Sequence, residues 1–163
     1  MIRASFERYL EKVTPTKRPE FHGRSFLSIL EEEHPKGWDE VYASHTFHEI
    51  TMYYPMRVIE TRKHKLILNV AHQLPYPFAS DLWASSTWQS VHRKGESHYG
   101  GRLVANYLQR PRYELYDKEQ DPQEFKNVAD DPAYARVLEE LSAKLKDFQT
   151  KTSDPWVVKY EHE

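Results

Sequence analysis

The chain has 163 residues, a formal net charge of −2 and no cysteine. This length suffices for one core, because a domain of about 150 residues buries roughly 70% of the surface that its unfolded chain exposes. The small net charge gives no reason to expect a nucleic acid or an anionic membrane as partner. The lack of cysteine excludes disulfide bonds, a Cys-based zinc site and a cysteine nucleophile. No apolar run is long enough for a transmembrane helix, and the charged N-terminus does not fit a signal peptide.

The first predicted elements are two short helices. Apolar residues recur at helical spacing between residues 2 and 13, and Thr14-Pro15 ends the pattern. Residues 14–24 contain two prolines and are interpreted as a linker. A second short helix is predicted around residues 26–30, ahead of Pro35.

Three strands are predicted next, over residues 41–47, 56–61 and 65–71. His64 lies between two lysines, in the turn that would join the last two strands into a hairpin. Pro75 and the proline two residues later exclude a central strand in the following segment.

A helix is predicted after these prolines, with Ser80 or Asp81 as its cap and with an apolar face that reaches Val91. Glycines follow at positions 95, 100 and 101. They predict a loop that returns to one more strand, Tyr113–Asp117.

The last helix has the clearest local signals. Asp131 is a favourable N-cap, and Pro132 fits the first helical position. One apolar stripe follows at helical spacing: Val137, Leu138, Leu141, Leu145 and Phe148. The predicted fold class is therefore α+β, a small antiparallel sheet of three to four strands packed against a long C-terminal helix.

Residues 114–129 fit the pattern E-L-Y-D-x-x-x-D-P-x-E-x-x-N-x-A. This pattern closely resembles a signature near the C-terminus of sulfatases. Residues 44–57, SHTFHEITMYYPMR, resemble the N-sulfoglucosamine sulfohydrolase (sulfamidase) type within that family. So do the shorter stretches GRSFL at 23–27, LPYPF at 74–78 and DPWV at 154–157.

The resemblance covers residues 21–158 and implies the sulfatase C-terminal subdomain over residues 20–163. Residues 1–19 match the family poorly and are interpreted as a separate N-terminal helix and linker. The resemblance implies a periplasmic, secreted or lysosomal location for the whole enzyme.

The resemblance also implies an activity, namely hydrolysis of sulfate on a glucosamine residue of heparan-type glycans. In sulfatases the chemistry uses a formylglycine, made in a C/S-x-P-x-R motif, and a calcium ion. Residues 14–18, TPTKR, are the nearest stretch and differ from this motif. No catalytic residue is therefore expected in this chain. The formylglycine and the calcium would belong to an N-terminal sulfatase domain, whose contact face here would otherwise be exposed or covered by self-association.

Four residues of the 44–57 block are predicted to contact substrate: His45, His48, Glu49 and Arg57. A glutamate beside a histidine can accept hydrogen bonds from sugar hydroxyls, while the imidazole can donate to a sulfate. A guanidinium matches a sulfate with two parallel hydrogen bonds. Arg62 and Lys63 could also meet a sulfated glycan, but they are interpreted as surface charge on a hairpin. On a regular strand, His45 and Glu49 would share one face and His48 would lie on the other.

Several alternatives stay open at this point. The chain contains nine histidines, but their spacing does not favour a metal site, and Asp130-Asp131 fits helix capping better than calcium binding. Trp83 and Trp88 could stack on sugars, although core positions suit them equally well. The region could also be a free-standing carbohydrate-binding module or a purely structural one.

Overall fold

The computed structural model describes residues 22–48 and 52–160 of the chain. It divides into two compact units, residues 1–35 and 36–163. Among residues 22–35, the described part of the first unit, a 3-10 turn, Leu27–Ile29, lies where the second short helix was predicted. The helix predicted between residues 2 and 13, and the predicted boundary after residue 19, lie outside the described residues.

The described residues of the second unit contain six strands, which confirms the predicted strands and adds a small hairpin. They are β1 (Glu40–His48), β2 (Met52–Thr61), β3 (His64–Asn69), β4 (His98–Tyr99), β5 (Arg102–Leu103) and β6 (Tyr113–Asp117). Four of them form an antiparallel sheet in the order β1-β2-β3-β6, as the predicted fold class requires. His64 was predicted in the turn, but it is the first residue of β3 and pairs with Asp117.

Within residues 36–48 and 52–160, four α-helices accompany the strands. They are α1 (Ser80–Ala84), α2 (Ser86–Lys94), α3 (Val104–Leu108) and α4 (Ala135–Lys151). The prediction of one helix through Val91 is wrong, because Ser85 has an extended backbone that ends α1. The Ser85 hydroxyl then caps α2 by accepting a hydrogen bond from the amide of Trp88 at 3.2 Å. Ala79, rather than Ser80 or Asp81, is the N-cap residue of α1.

The region between α2 and β6 contains regular secondary structure where a loop was predicted. Gly95 ends α2 in the left-handed conformation, with a φ of 63°. The antiparallel pair β4-β5 and helix α3 then follow before β6 begins.

The core lies between one face of the sheet and α4. Ile59, Leu66 and Leu115 are cross-strand neighbours on that face, and all three are fully buried. Leu141 and Leu145 of α4 belong to the same cluster. The predicted apolar stripe is therefore confirmed as the docking face of the helix.

Two features at the ends of α4 complement this stripe. Asp131 caps the chain as predicted, accepting from the amide of Ala133 at 2.9 Å, but the first turn is a 3-10 helix, Pro132–Tyr134. Near the other end of α4, the ring of Phe148 stacks on that of Tyr42 in β1, with centroids 4.0 Å apart.

The signature segment closes the free edge of β6. The Asn127 side chain accepts from the amide of Leu115 at 2.8 Å and donates to the carbonyl of Tyr113 at 3.0 Å. The amide of Val128 donates to the carbonyl of Leu115 at 2.8 Å. These bonds satisfy edge-strand groups that would otherwise be open to pairing with another chain. The signature residues are therefore structural.

The second face of the sheet is only partly covered. At the end of the sheet near Asn69, an aromatic cluster of Tyr54, Tyr76, Phe78, Trp88 and Tyr107 packs ring against ring. Away from this cluster, Val41 is 67% exposed and Ile67 is half-buried. No helix of the described residues is long and apolar enough to cross a membrane.

Truncation of the α4 stripe should destabilise the fold. Leu141→Ala and Leu145→Ala should each lower the free energy of unfolding by about 2–5 kcal/mol, because each leaves a cavity in the core. Glu139→Ala, on the exposed side of the same helix, should change it by less than about 0.5 kcal/mol. Urea denaturation followed by circular dichroism measures all three, and equal small effects would show that α4 is not docked.

Candidate functional site

Arg57 is the structural centre of the predicted substrate-binding block. Its side chain is buried on the sheet face that α4 covers, and it forms a bidentate ion pair with Asp154 through Nε and Nη2. Nη1 donates to the carbonyls of His45 at 3.1 Å and Met56 at 2.8 Å. One guanidinium therefore joins β1, β2 and the segment that follows α4.

Asp154 has further partners that keep it ionised. Its carboxylate accepts from the Gln149 side-chain amide and from the Trp156 backbone amide, each at 3.0 Å. Burial by itself would raise the pKa of Asp154, but the hydrogen bond from Arg57, assisted by those from Trp156 and Gln149, holds this pKa below its usual value. The carboxylate and the guanidinium are thus both charged at neutral pH.

The histidines of the block lie on β1, near its end. His45 is half-buried, and its Nδ1 lies 3.1 Å from the carbonyl oxygen of Tyr54. His48 is the last residue of β1 and is exposed. Glu49 lies outside the described residues.

A β-bulge interrupts the pairing of β1 with β2 near the end of β1. His45 pairs with Met56 and Phe47 pairs with Tyr53, so two residues of β2 oppose the single residue Thr46. One of the two is Pro55, which has no amide to donate and fits a bulge well. The extra residue belongs to β2, so it is β2 that bends at this point.

Three aromatic side chains form a partly exposed patch at the end of β1, where His48 follows Phe47 in the chain. Phe47 and Tyr53 have ring centroids 5.9 Å apart, and Tyr53 meets Trp156 edge-on at 6.1 Å. Phe47 is 64% exposed and Tyr53 is 42% exposed. We call Phe47, Tyr53 and Trp156, together with His48, the β1–β2 end patch. Aromatic faces beside an imidazole can stack on a sugar ring and hydrogen-bond its polar groups.

Sequence reasoning did not find the partner of Arg57. Asp154 is 97 positions away, and nothing local links the two residues. Both residues lie in stretches that resemble sulfamidases. This common resemblance was the only sequence signal that linked Arg57 to Asp154. The same ion pair brings Trp156 to the patch, which the sequence did not indicate either.

The other candidates from the sequence lie elsewhere. Trp88 is buried in the aromatic cluster, whereas Trp83 is 46% exposed and packs against the ring of His92. Arg62 pairs with Asp39 at 2.6 Å on the surface. Lys63 likewise pairs with Glu119 at 2.9 Å.

The described residues do not fit a calcium ion or a formylglycine. Among residues 22–48 and 52–160, no three His, Asp or Glu side chains are placed to hold a metal. Asp131 is occupied as a cap. The sequence contains no cysteine.

Comparisons with known proteins agree with this fold. Residues 87–151 match the family described as N-sulphoglucosamine sulphohydrolase, C-terminal. The human N-sulphoglucosamine sulphohydrolase is 38% identical over 138 residues, which is 83% of this chain and 27% of the human protein. The Delta 4,5-hexuronate-2-O-sulfatase of Bacteroides thetaiotaomicron is 35% identical over 82 residues, 50% of this chain and 17% of that enzyme.

Solved structures show the same fold. BT4656 in complex with its substrate D-glucosamine-2-N,6-O-disulfate has a TM-score of 0.52 at 21% identity, covering 91% of this chain and 23% of that one. BT1596, a 2-O GAG sulfatase, has a TM-score of 0.51 at 21% identity, covering 86% and 22%.

The fold and the matched residues define a C-terminal region of the sulfatase family. Within that family, the chain resembles the C-terminal region of N-sulphoglucosamine sulphohydrolase. It spans about a quarter of the length of the human relative.

Loss of the Asp154 carboxylate should destabilise the protein in a pH-dependent manner. Asp154→Asn leaves the buried Arg57 charge unpaired, so the free energy of unfolding at pH 7 should fall by about 3–5 kcal/mol. Because the pKa of Asp154 is depressed in the folded state, its contribution is present above the usual carboxyl pKa of about 3.9. The contribution is lost as the pH falls through the folded-state pKa.

Urea unfolding at pH 7, 5 and 3 measures this effect. The difference between wild type and Asp154→Asn should be similar at pH 7 and 5 and should shrink at pH 3. Asp147→Asn, which removes an exposed i,i+4 pair with Lys151, should cost no more than about 0.5 kcal/mol. A pH-independent cost for Asp154→Asn would contradict the charged pair.

Proposed function

We propose that this chain serves as the C-terminal subdomain of a sulfatase that acts on sulfated glucosamine of heparan-type glycans. In this proposal the β1–β2 end patch forms one wall of the substrate pocket. The observation that carries it is the exposed aromatic and imidazole patch next to the buried Arg57–Asp154 pair. The human relative is named for N-sulphoglucosamine, and BT4656 was solved with a sulfated glucosamine, which supports the choice of sugar.

Each residue of the patch has a role in this proposal. The rings of Phe47 and Tyr53 stack on the apolar face of a sugar ring. His48 is free to hydrogen-bond a sulfate or hydroxyl oxygen, because it is exposed at the end of the strand. Glu49, outside the described residues, accepts from sugar hydroxyls.

Arg57 and His45 have supporting roles. The donors of Arg57 already bind Asp154 and two carbonyls, so direct contact with sulfate would require breaking a buried ion pair. We therefore assign Arg57 as a positioning residue that holds the strand end. His45 helps to hold the same strand end in place, through the contact of its Nδ1 with the carbonyl oxygen of Tyr54.

The second face of the sheet is the proposed contact surface for an N-terminal sulfatase domain. Val41 and Ala43 are exposed there, and Val58 and Ile67 are half-buried. Contiguous exposed apolar surface is typical of a protein contact. Without that domain, the same surface would favour self-association. The formylglycine and the calcium belong to the N-terminal domain in this proposal.

The 163-residue chain by itself should not hydrolyse sulfate esters or sulfamates, because it contains no formylglycine precursor of the family type. Incubation with N-sulfoglucosamine and measurement of released sulfate should give the background rate. Turnover that is abolished by a substitution within the chain would contradict the proposal.

His48→Ala should impair a sulfatase whose polypeptide includes this region. Loss of one charge-assisted hydrogen bond of about 1.5–3 kcal/mol predicts a ten- to hundred-fold lower kcat/KM for an N-sulfated glucosamine. Unfolding of the 163-residue chain should hardly change, because His48 is exposed.

His92→Ala is the matched control, since His92 is also exposed but contacts Trp83, away from the patch. This variant should keep the wild-type kcat/KM. Full activity of His48→Ala, or an equal loss in both variants, would show that the patch does not form the pocket wall.

A further inference from the structure

A polar cavity of about 70 Å³ lies away from the β1–β2 end patch, between the β5–α3 segment and the loop that follows β6. This volume is enough to admit a small polar group. Charged, amide and aromatic side chains line it, chiefly Arg102, Asn106, Tyr107, Arg110, Glu114 and Phe125.

The guanidinium of Arg110 packs against two tyrosine rings, and its Nε has no hydrogen-bond acceptor among the described residues. Its guanidinium lies 4.1 Å from the ring centroid of Tyr76 and 5.6 Å from that of Tyr107. Its side chain is 19% exposed, and Nε is buried without a hydrogen-bond partner in the described part of the chain. The nearest carboxylate oxygen, Glu114 Oε1, lies 3.7 Å from Nη1, which is beyond hydrogen-bond distance. A buried donor without an acceptor is uncommon in folded proteins and therefore needs a structural or functional explanation.

Glu114 neutralises only part of the positive charge at this cavity. Its Oε1 accepts from the Asn69 amide at 2.7 Å, and its Oε2 accepts from the Tyr116 hydroxyl at 2.6 Å. Burial, with the hydrogen bond to Glu114, raises the pKa of Tyr116, so the phenol stays protonated and remains a donor. With both of its oxygens bound to other donors, Glu114 offsets only one of the two guanidinium charges at the cavity.

Arg102 supplies the second charge at the cavity. Its Nη2 donates to the carbonyl of Gln123 at 3.1 Å, and its guanidinium lies 5.7 Å from the ring centroid of Phe125. Phe125 packs so closely on the β4–β5 turn that a Cβ on Gly101 would come within 2.7 Å of its ring. Arg102 is therefore oriented by a backbone carbonyl and by the ring of Phe125.

We propose that this cavity binds an oxyanion group, a sulfate or a carboxylate, carried by a sugar, with Arg110 and Arg102 as its donors. A guanidinium offers parallel donors that match both groups. Asn106 lies at the same cavity and can donate to or accept from a neighbouring hydroxyl. The proposal rests on the function proposed above only for the sugar; the oxyanion site follows from the arginines.

The test is titration of the 163-residue chain with inorganic sulfate, N-sulfoglucosamine, glucuronate and uncharged N-acetylglucosamine. Amide chemical shifts of residues 102–127 give the affinities. The anionic ligands should shift these amides in a saturable manner, and N-acetylglucosamine should not. The preferred anion identifies sulfate or carboxylate as the group that the cavity binds.

Substitutions then assign the donors. Arg110→Gln should weaken anion binding at least about tenfold, because it removes a charge and a parallel donor pair. Arg110→Lys should fall between wild type and Arg110→Gln, since a lysine keeps the charge without the fork geometry. Arg62→Gln removes a surface charge paired with Asp39 and should stay within twofold of wild type.

If Arg110→Gln fails to fold by circular dichroism, Arg102→Gln, which changes an exposed residue, tests the same site and should also weaken binding about tenfold. Absence of a saturable shift with any anion, or an equal loss in Arg62→Gln, would overturn the proposal. Arg110-dependent binding of inorganic sulfate without binding of N-sulfoglucosamine would sustain the oxyanion site and count against the proposed substrate.

Discussion

The ion pair between Arg57 and Asp154 links the parts of the structure that local sequence cannot bring together. It connects the middle of β2 with the segment after α4, and it also ties β1 through the carbonyl of His45. A buried pair of this kind contributes little by itself, because desolvation offsets most of the attraction, yet removal of one partner leaves an uncompensated charge. The pair therefore acts mainly as a constraint on geometry. It fixes how the C-terminal segment meets the end of the sheet.

That constraint explains the position of the β1–β2 end patch. Tyr53 extends from β2, and Trp156 comes from the segment anchored by Asp154, whose carboxylate also binds the Trp156 amide. The bulge in β2, opposite Thr46, lies beside the pairs Phe47–Tyr53 and His48–Met52. Two strand ends and a distant segment thus converge on one exposed surface. A rigid support beneath exposed polar and aromatic side chains is what a binding wall requires.

The two faces of the sheet serve different purposes. One face is filled by α4 and forms the core around Ile59, Leu66 and Leu115. The other is covered by an aromatic cluster at one end only, and beside that cluster lies the cavity with Arg102 and Arg110. The signature segment 114–129 connects both, since Leu115 faces the core and Glu114 faces the cavity. The match of this segment to sulfatases therefore reflects a requirement of the fold as well as its position at the cavity.

The sequence by itself determined the class of fold, the four main strands, the C-terminal helix with its Asp131 cap and buried stripe, and the resemblance to sulfatases. These features depend on periodicity, caps and fixed motifs, which act over a few residues. The break at Ser85 and the β4–β5 hairpin escaped prediction, because short elements have weak local signals and depend on packing. The Arg57–Asp154 pair, the convergence of the patch and the under-satisfied Arg110 were decided only by the tertiary structure. Each of these features depends on side chains that are distant in sequence and become neighbours in the folded protein. They become buried together only when the sheet, α4 and the aromatic cluster pack against one another.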